Sequence, residues 1–204
     1  MPSAILRPMA DEERFQPATR AQWRAWLEVN HDRASGVWFV SYKQKTGKAT
    51  VSYDDAVEEA LCFGWIDGRM NPIDDERAML RFSPRRPGGT WARSNKERVA
   101  RLEAAGLMTE AGRRAIEAAQ ANGSWTALDD VEALVMPDDL ATALAGAGAG
   151  SAFDGWTASA RKMALGWVAQ PRRPETRASR IEQVARVAGA GEPAASLWVP
   201  RRRR

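Results

Sequence analysis

Between residues 20 and 30 the apolar positions Trp23, Trp26 and Leu27, extended by Asn30, recur at three- and four-residue steps. That spacing marks one face of an α-helix. The next stretch, "GVWFVSYKQKTG", changes to β-branched and aromatic residues bounded by glycines and predicts a strand. Val37, Phe39 and Ser41 would face one side of a sheet, and Trp38, Val40 and Tyr42 the other. In "TVSYDDAVEEALCFG" the helical period returns. Tyr53, Ala56, Val57, Ala60 and Leu61 form an apolar stripe, Ser52 and Asp55 have capping-box spacing, and Gly64 is a stop. "WIDGRMNPIDDERAMLRFSP" then predicts an antiparallel pair: Trp65 to Met70 outward, a turn over Asn71–Asp75, and Arg77 to Phe82 returning. A competing turn at Asp67–Gly68 would leave too short an incoming strand.

After "PRRPGG" the pattern is helical throughout. Thr90 is a cap for a helix ending near Gly106, and Thr109 for one ending at Gly123. Small residues dominate 124–151, and two more helices follow, the second with Pro174 at its first position. The expected architecture is α+β: a small antiparallel three-stranded sheet packed by helices, followed by a helical C-terminal half. The expected domains are 1–123, an α+β core with a basic loop and helical hairpin; 124–190, a helical region; and 191–204, a basic tail.

Composition narrows the chemistry. The chain has 204 residues, one His and one Cys. A lone cysteine rules out an intrachain disulfide, and one His with one Cys cannot supply the usual four His/Cys ligands of a structural zinc. No metal or other cofactor is expected. No apolar run is long enough to span a bilayer, and no secretory signal is apparent, so the expected location is cytoplasmic. His31 falls where it can serve the last carbonyls of a helix, and Cys62 continues an apolar stripe as a packed small residue. The net charge of +4 conceals blocks: residues 81–101 carry seven bases against one acid, and 161–204 eleven against three. Such blocks attract anions, or pair with the acidic stretches between them.

The segments "WLEVNHDRASGVWFVSYKQKTG", "SYDDAVEEALCFGWIDGRMNPIDDERAMLRFSPRRPGGTWARSNKERVARLEAAGLMTEAG" and "ARKMALGWVAQPRRPETRASRIEQV" resemble the YdeI/OmpD-associated family, often labelled bacteriocin-protection proteins. The resemblance extends over about residues 20–190. It implies a part in tolerance of antimicrobial peptides or of envelope stress, without a defined reaction. The first half also resembles, distantly, the small α+β domains that include frataxin-like iron chaperones. Asp54, Asp55, Glu58 and Glu59 would then be the metal-binding acids, although the helix before them mixes Arg20, Arg24 and Glu28.

The candidate ligand-binding residues are Trp65, Asp67, Arg81, Arg85, Arg86, Trp91, Asn95 and Arg98. The arginines leave the end of a strand and meet a glycine-containing loop and a helix start, where free amides and guanidinium forks suit phosphate or carboxylate. Asp67 is expected to pair with Arg81 across the hairpin, either as a structural pair or as the floor of a pocket walled by Trp65 and Trp91. Asn95 falls on an apolar stripe and needs a polar partner. An enzyme using Asp67 or Glu59 as a base finds no nucleophile–base pair in the sequence. The expected function is a non-enzymatic stress or peptide-resistance protein that binds a small anionic ligand or an acidic protein partner. The alternatives are a nucleic-acid-binding module using 81–101 and 161–204, and the iron chaperone.

Overall fold

The computed structural model describes residues 13–171 and 173–198. The chain divides into two compact units, Met1–Trp125 and Thr126–Arg204.

The first unit opens with β1 (Arg14–Phe15), α1 (Arg20–Asn30) and β2 (Val37–Tyr42). Thr19 caps α1 by accepting from the Gln22 amide, and the stripe Trp23, Trp26, Leu27 and Asn30 is buried. Asn30 meets its polar need locally, donating to Trp26 O and accepting from Arg33. His31 sits at the C-terminus of α1 with Nδ1 2.9 Å from Leu27 O, as the sequence suggested. Then come α2 (Tyr53–Cys62), β3 (Trp65–Pro72) and β4 (Arg77–Pro84). Ser52 caps α2 by accepting from the Asp55 amide, while its hydroxyl donates to Asp55 Oδ2, and Gly64, at φ +74°, ends that turn.

The sheet order is β1-β2-β4-β3, with β2, β4 and β3 antiparallel and β1 added parallel to β2. The sheet is therefore mixed and four-stranded, not the expected antiparallel three. The added strand is only two residues long, too short for an alternating pattern to register. Asp67–Gly68 proves to be no turn: the ladder slips between Asp67 and Met70, so the Asp-Gly signal marks a bulge inside β3.

Val37 and Phe39 of β2, with Leu80 and Phe82 of β4, turn to one face and join Trp23, Trp26 and Leu27 in a single core. Trp23 is central, with ring centroids 5.3 Å from Trp26, 5.1 Å from Phe39 and 5.3 Å from Phe82. Its indole N–H, which would be costly to bury alone, donates to Ala56 O at 3.0 Å. Two helices complete the unit, α3 (Arg93–Ala104) and α4 (Glu110–Ala121). The residue at the N-terminus of α3 is Ala92, with no side-chain cap, so Thr90 does not cap it. Thr109 does cap α4. Its hydroxyl also donates to Cys62 O, joining the start of α4 to the end of α2. There the backbones approach so closely that a Cβ at Gly112 would lie 2.3 Å from Cys62 O.

The second unit is helical: α5 (Asp129–Glu132), α6 (Asp138–Gly146), α7 (Gly150–Asp154), α8 (Ala158–Ala169) and α9 (Pro174–Gly189). Its core gathers Leu140, Leu144, Phe153, Leu165, Val168 and Val184, among others. Within the stretch expected to be tail, Ala194–Trp198 is a 3-10 turn that buries Ala194 and Leu197. Arg201–Arg204 lie outside the described residues. No helix among the described residues is long and apolar enough to cross a membrane.

A candidate anion cleft at Arg85

Several arginines around α2 are engaged by acids. Glu59, 3% exposed, receives Arg20 Nε at 2.6 Å and Arg24 Nη1 at 2.8 Å. Arg20 also reaches Asp55 at 2.5 Å and Glu58 at 3.2 Å. From the other side, Arg98 pairs with Asp54 at 2.5 Å and Arg101 with Glu58 at 3.0 Å. The acids at 54–59 are therefore held by arginines of α1 and α3. Among the described residues no group of three or more His, Cys, Asp or Glu is arranged to hold a metal.

Cys62 is fully buried, and burial first, then the nearby Glu59 charge, pushes its thiol up to about 11. That makes it packing, not a nucleophile.

Arg85 is placed differently. The loop after β4 is pinned where Arg85 N donates to Gly64 O at 3.0 Å. It then turns over Pro87–Gly88, closed by Gly89 N to Arg86 O, with Gly88 at φ +79°. Proline followed by a positive-φ glycine is the sequence signature of a type II turn. The guanidinium of Arg85 lies on the Trp91 indole, 3.5 Å from carbon to ring centroid, and Trp91 rests on Trp125 at 4.9 Å. Arg85 Nη1 donates to Thr90 O at a long 3.4 Å, while Nε and Nη2 are buried with no hydrogen-bond partner. Burial pulls the group down to about 10, partly opposed by the charge of Asp67.

Arg85 borders a cleft of about 70 Å³ whose other walls include Arg86, Pro87, Trp91, Ala115, Ala118, Ala119, Asn122 and Ser124. Pockets for drug-sized molecules run to roughly 300–1,000 Å³. This one has room for two or three waters, at about 30 Å³ each, or for one small ion. Ser124, 6% exposed, has an unpartnered hydroxyl oxygen as well. It is held in place by its amide, which donates to Asn122 Oδ1 at 3.0 Å just beyond the Gly123 stop of α4. Two residues with orphaned polar atoms, Arg85 and Ser124, thus border one small, mostly apolar cleft, and each orphaned atom carries a desolvation cost until a partner arrives.

Of the eight candidate residues, Arg85, Arg86 and Trp91 line this cleft and the other five do not. Trp65 is core, 1% exposed, with its indole donating to His31 O at 3.1 Å. Asp67 lies opposite Phe82, not Arg81, and accepts from Tyr53 Oη at 2.9 Å. Arg81 pairs in register with Trp38, on the sheet face away from Phe82, and packs over Gly36. The register predicted for Asp67 and Arg81 was off by one residue, which in a strand is enough to send two side chains to opposite faces. Asn95 is half-buried in the first turn of α3, away from the cleft, and Arg98 is committed to Asp54. Asn122, Ser124 and the α4 alanines were not anticipated. Their sequence announces a helix stop, but nothing in it says that this stop packs beside the loop at 85–89.

The second unit has a larger cleft of about 280 Å³, bordered by Val131, Val135, Leu165 and Arg177 among others. Arg177 is already satisfied, donating to both oxygens of Asp139 at 2.7 and 2.9 Å and to Val168 O at 3.0 Å.

Two stretches match known families. Residues 15–115 match a domain of unknown function (DUF8412), and residues 133–191 match the family described as Bacteriocin-protection, YdeI or OmpD-Associated. The long motifs of the first half therefore fall within the first match, while "ARKMALGWVAQPRRPETRASRIEQV" falls within the second. No curated protein and no solved structure matches the chain.

Proposed function

From a chain that belongs to the YdeI/OmpD-associated family through residues 133–191, we propose a non-enzymatic, cytoplasmic bacteriocin-protection protein acting in the stress response. In this reading its first unit binds a small oxyanion in the Arg85 cleft. One observation carries the proposal: a guanidinium fixed by an indole beneath it, with Nε and Nη2 both buried and both without partners. Those two N–H groups share one edge of the planar fork and present two parallel donors to a pair of oxygens.

The nucleic-acid reading draws less support. Within 81–101, Arg98 and Arg101 are occupied by Asp54 and Glu58. Within 161–198, Arg177 is occupied by Asp139. The iron-chaperone reading needs the acids of α2 free, and they are bound to arginines.

The test is an NMR titration of the full chain with acetate, phosphate and sulfate in turn, against chloride at equal ionic strength. The expected result is saturable movement of the Arg85 Nε–H and the Ser124 and Gly89 amides with at least one oxyanion. Movement that merely follows ionic strength for all of them would refute the site.

A further inference from the structure

The unpartnered edge of Arg85, the apolar walls and the helix end beside it narrow the class of anion. We infer that the cleft selects a small monocarboxylate, or the carboxylate end of a larger molecule, over phosphate; this rests on the oxyanion reading above. Three features carry it.

First, the same guanidinium edge is occupied elsewhere in this chain, where Arg177 sets Nε and Nη2 on the two oxygens of the Asp139 carboxylate at 2.7 and 2.9 Å. Arg85 presents that edge without a carboxylate. Second, the cleft holds one half-buried guanidinium. Arg86 is exposed, and the further polar groups are the hydroxyl of Ser124 and the amide of Asn122. A monoanion meets one guanidinium there, already partly offset by the charge of Asp67, whereas a phosphate dianion would keep a larger uncompensated charge in a cleft walled by Pro87, Trp91 and alanines. Third, Ala118, Ala119 and Asn122 belong to the C-terminal end of α4. That end carries the negative pole of the helix dipole, which opposes a dianion twice as strongly as a monoanion. Phosphate sites are commonly found at helix N-termini for the opposite reason. The apolar walls also accommodate one or two methyl groups beside the carboxylate, and the volume of about 70 Å³ excludes much more within the cleft itself.

The experiment is competitive binding to the full chain at mildly alkaline pH, where inorganic phosphate is mostly the dianion, with acetate, propionate, isobutyrate and inorganic phosphate as probes at constant ionic strength. Acetate or propionate is expected to bind at least about tenfold more tightly than phosphate. Arg85→Lys, which keeps the charge and loses the fork, should weaken carboxylate binding about tenfold or more. Ser124→Ala should weaken it less. Phosphate binding as well as or better than propionate would overturn the carboxylate assignment while leaving the oxyanion site standing. No binding of any probe would remove both. Carboxylate binding that survives unchanged in Arg85→Lys would show that the fork is not the recognition element, and would overturn the assignment too.

Discussion

Replacing Arg85 with methionine should make the ligand-free protein more stable. The guanidinium is pulled down to about 10 by burial. A fall of that size from the ordinary arginine value destabilises the charged form by about 3 kcal/mol. At neutral pH the group is charged in both the folded and the unfolded chain, so the cost is present in full. It would be relieved only as pH rises above about 10, where the folded form loses its proton first and the unfolded chain still holds its own. Two contacts offset it: stacking on Trp91, about 1–2 kcal/mol, and the long bond to Thr90 O, about 0.5 kcal/mol. The balance leaves Arg85 destabilising by about 1 kcal/mol. Methionine fills a similar space over the indole without a charge. Calorimetric melting of the full chain should therefore show Tm raised by about 3 °C in Arg85→Met. The acetate-dependent rise in Tm expected of the natural protein should also be absent from the variant. A fall in Tm of several degrees would mean that Arg85 is a structural element of the Trp91 stack, and the reasoning would be wrong.

Three further outcomes are expected elsewhere. Gly112→Ala, whose Cβ would lie 2.3 Å from Cys62 O, should lower stability by about 1–3 kcal/mol in urea unfolding; a neutral result would mean that α4 can shift away from α2 without loss. Glu59→Ala should cost about 2–3 kcal/mol, near the low end for a broken buried pair because Arg20 and Arg24 are a third exposed and can turn to solvent; a cost below about 0.5 kcal/mol would show the cluster to be incidental. Asp139 is held below the usual carboxylate range by its hydrogen bonds to Arg177, so its contribution is present above about pH 4 and is lost as pH falls through the lowered value. Asp139→Asn should accordingly flatten the acid limb of the stability profile, and an unchanged limb would count against the pair.

The elements of the first unit were legible in the sequence because its helices bury a periodic face and turn residues bound its long strands. The stripe on α1, the cap on α2 and the hairpin turn all follow from spacing and turn chemistry. What escaped was set by pairing over distance. A bulge between Asp67 and Met70 shifts the register, and no local pattern distinguishes Asp-Gly in a bulge from Asp-Gly in a turn. The same limit applies to the site. Arg85, Arg86 and Trp91 were visible as a basic, aromatic loop next to a helix start. Ser124 was not, because a serine after a helix-ending glycine is commonplace until it is found beside an arginine nearly forty residues earlier.

The basic blocks gain a physical reading from this arrangement. Alternation of charge along the chain suggested either outward attraction for anions or inward pairing. The inward answer holds where α2 lies between arginines of α1 and α3: Arg20, Arg24, Arg98 and Arg101 all meet its acids. Pairing of that kind is possible because helices in contact bring long side chains within reach of one another. Arg85 leaves the end of β4 just where the chain bends onto Gly64, and the aromatic floor of Trp91 and Trp125 occupies the place an acid would need. An indole holds a guanidinium flat and attracts it without consuming its N–H donors. The stack therefore does what a carboxylate cannot: it positions the cation and leaves its Nε–Nη2 edge without a partner. Basic loops of this size usually contain several exposed arginines, and counting them says little. What identifies Arg85 is that the fold stacks it on Trp91, buries its Nε and Nη2, and leaves both donors without a partner.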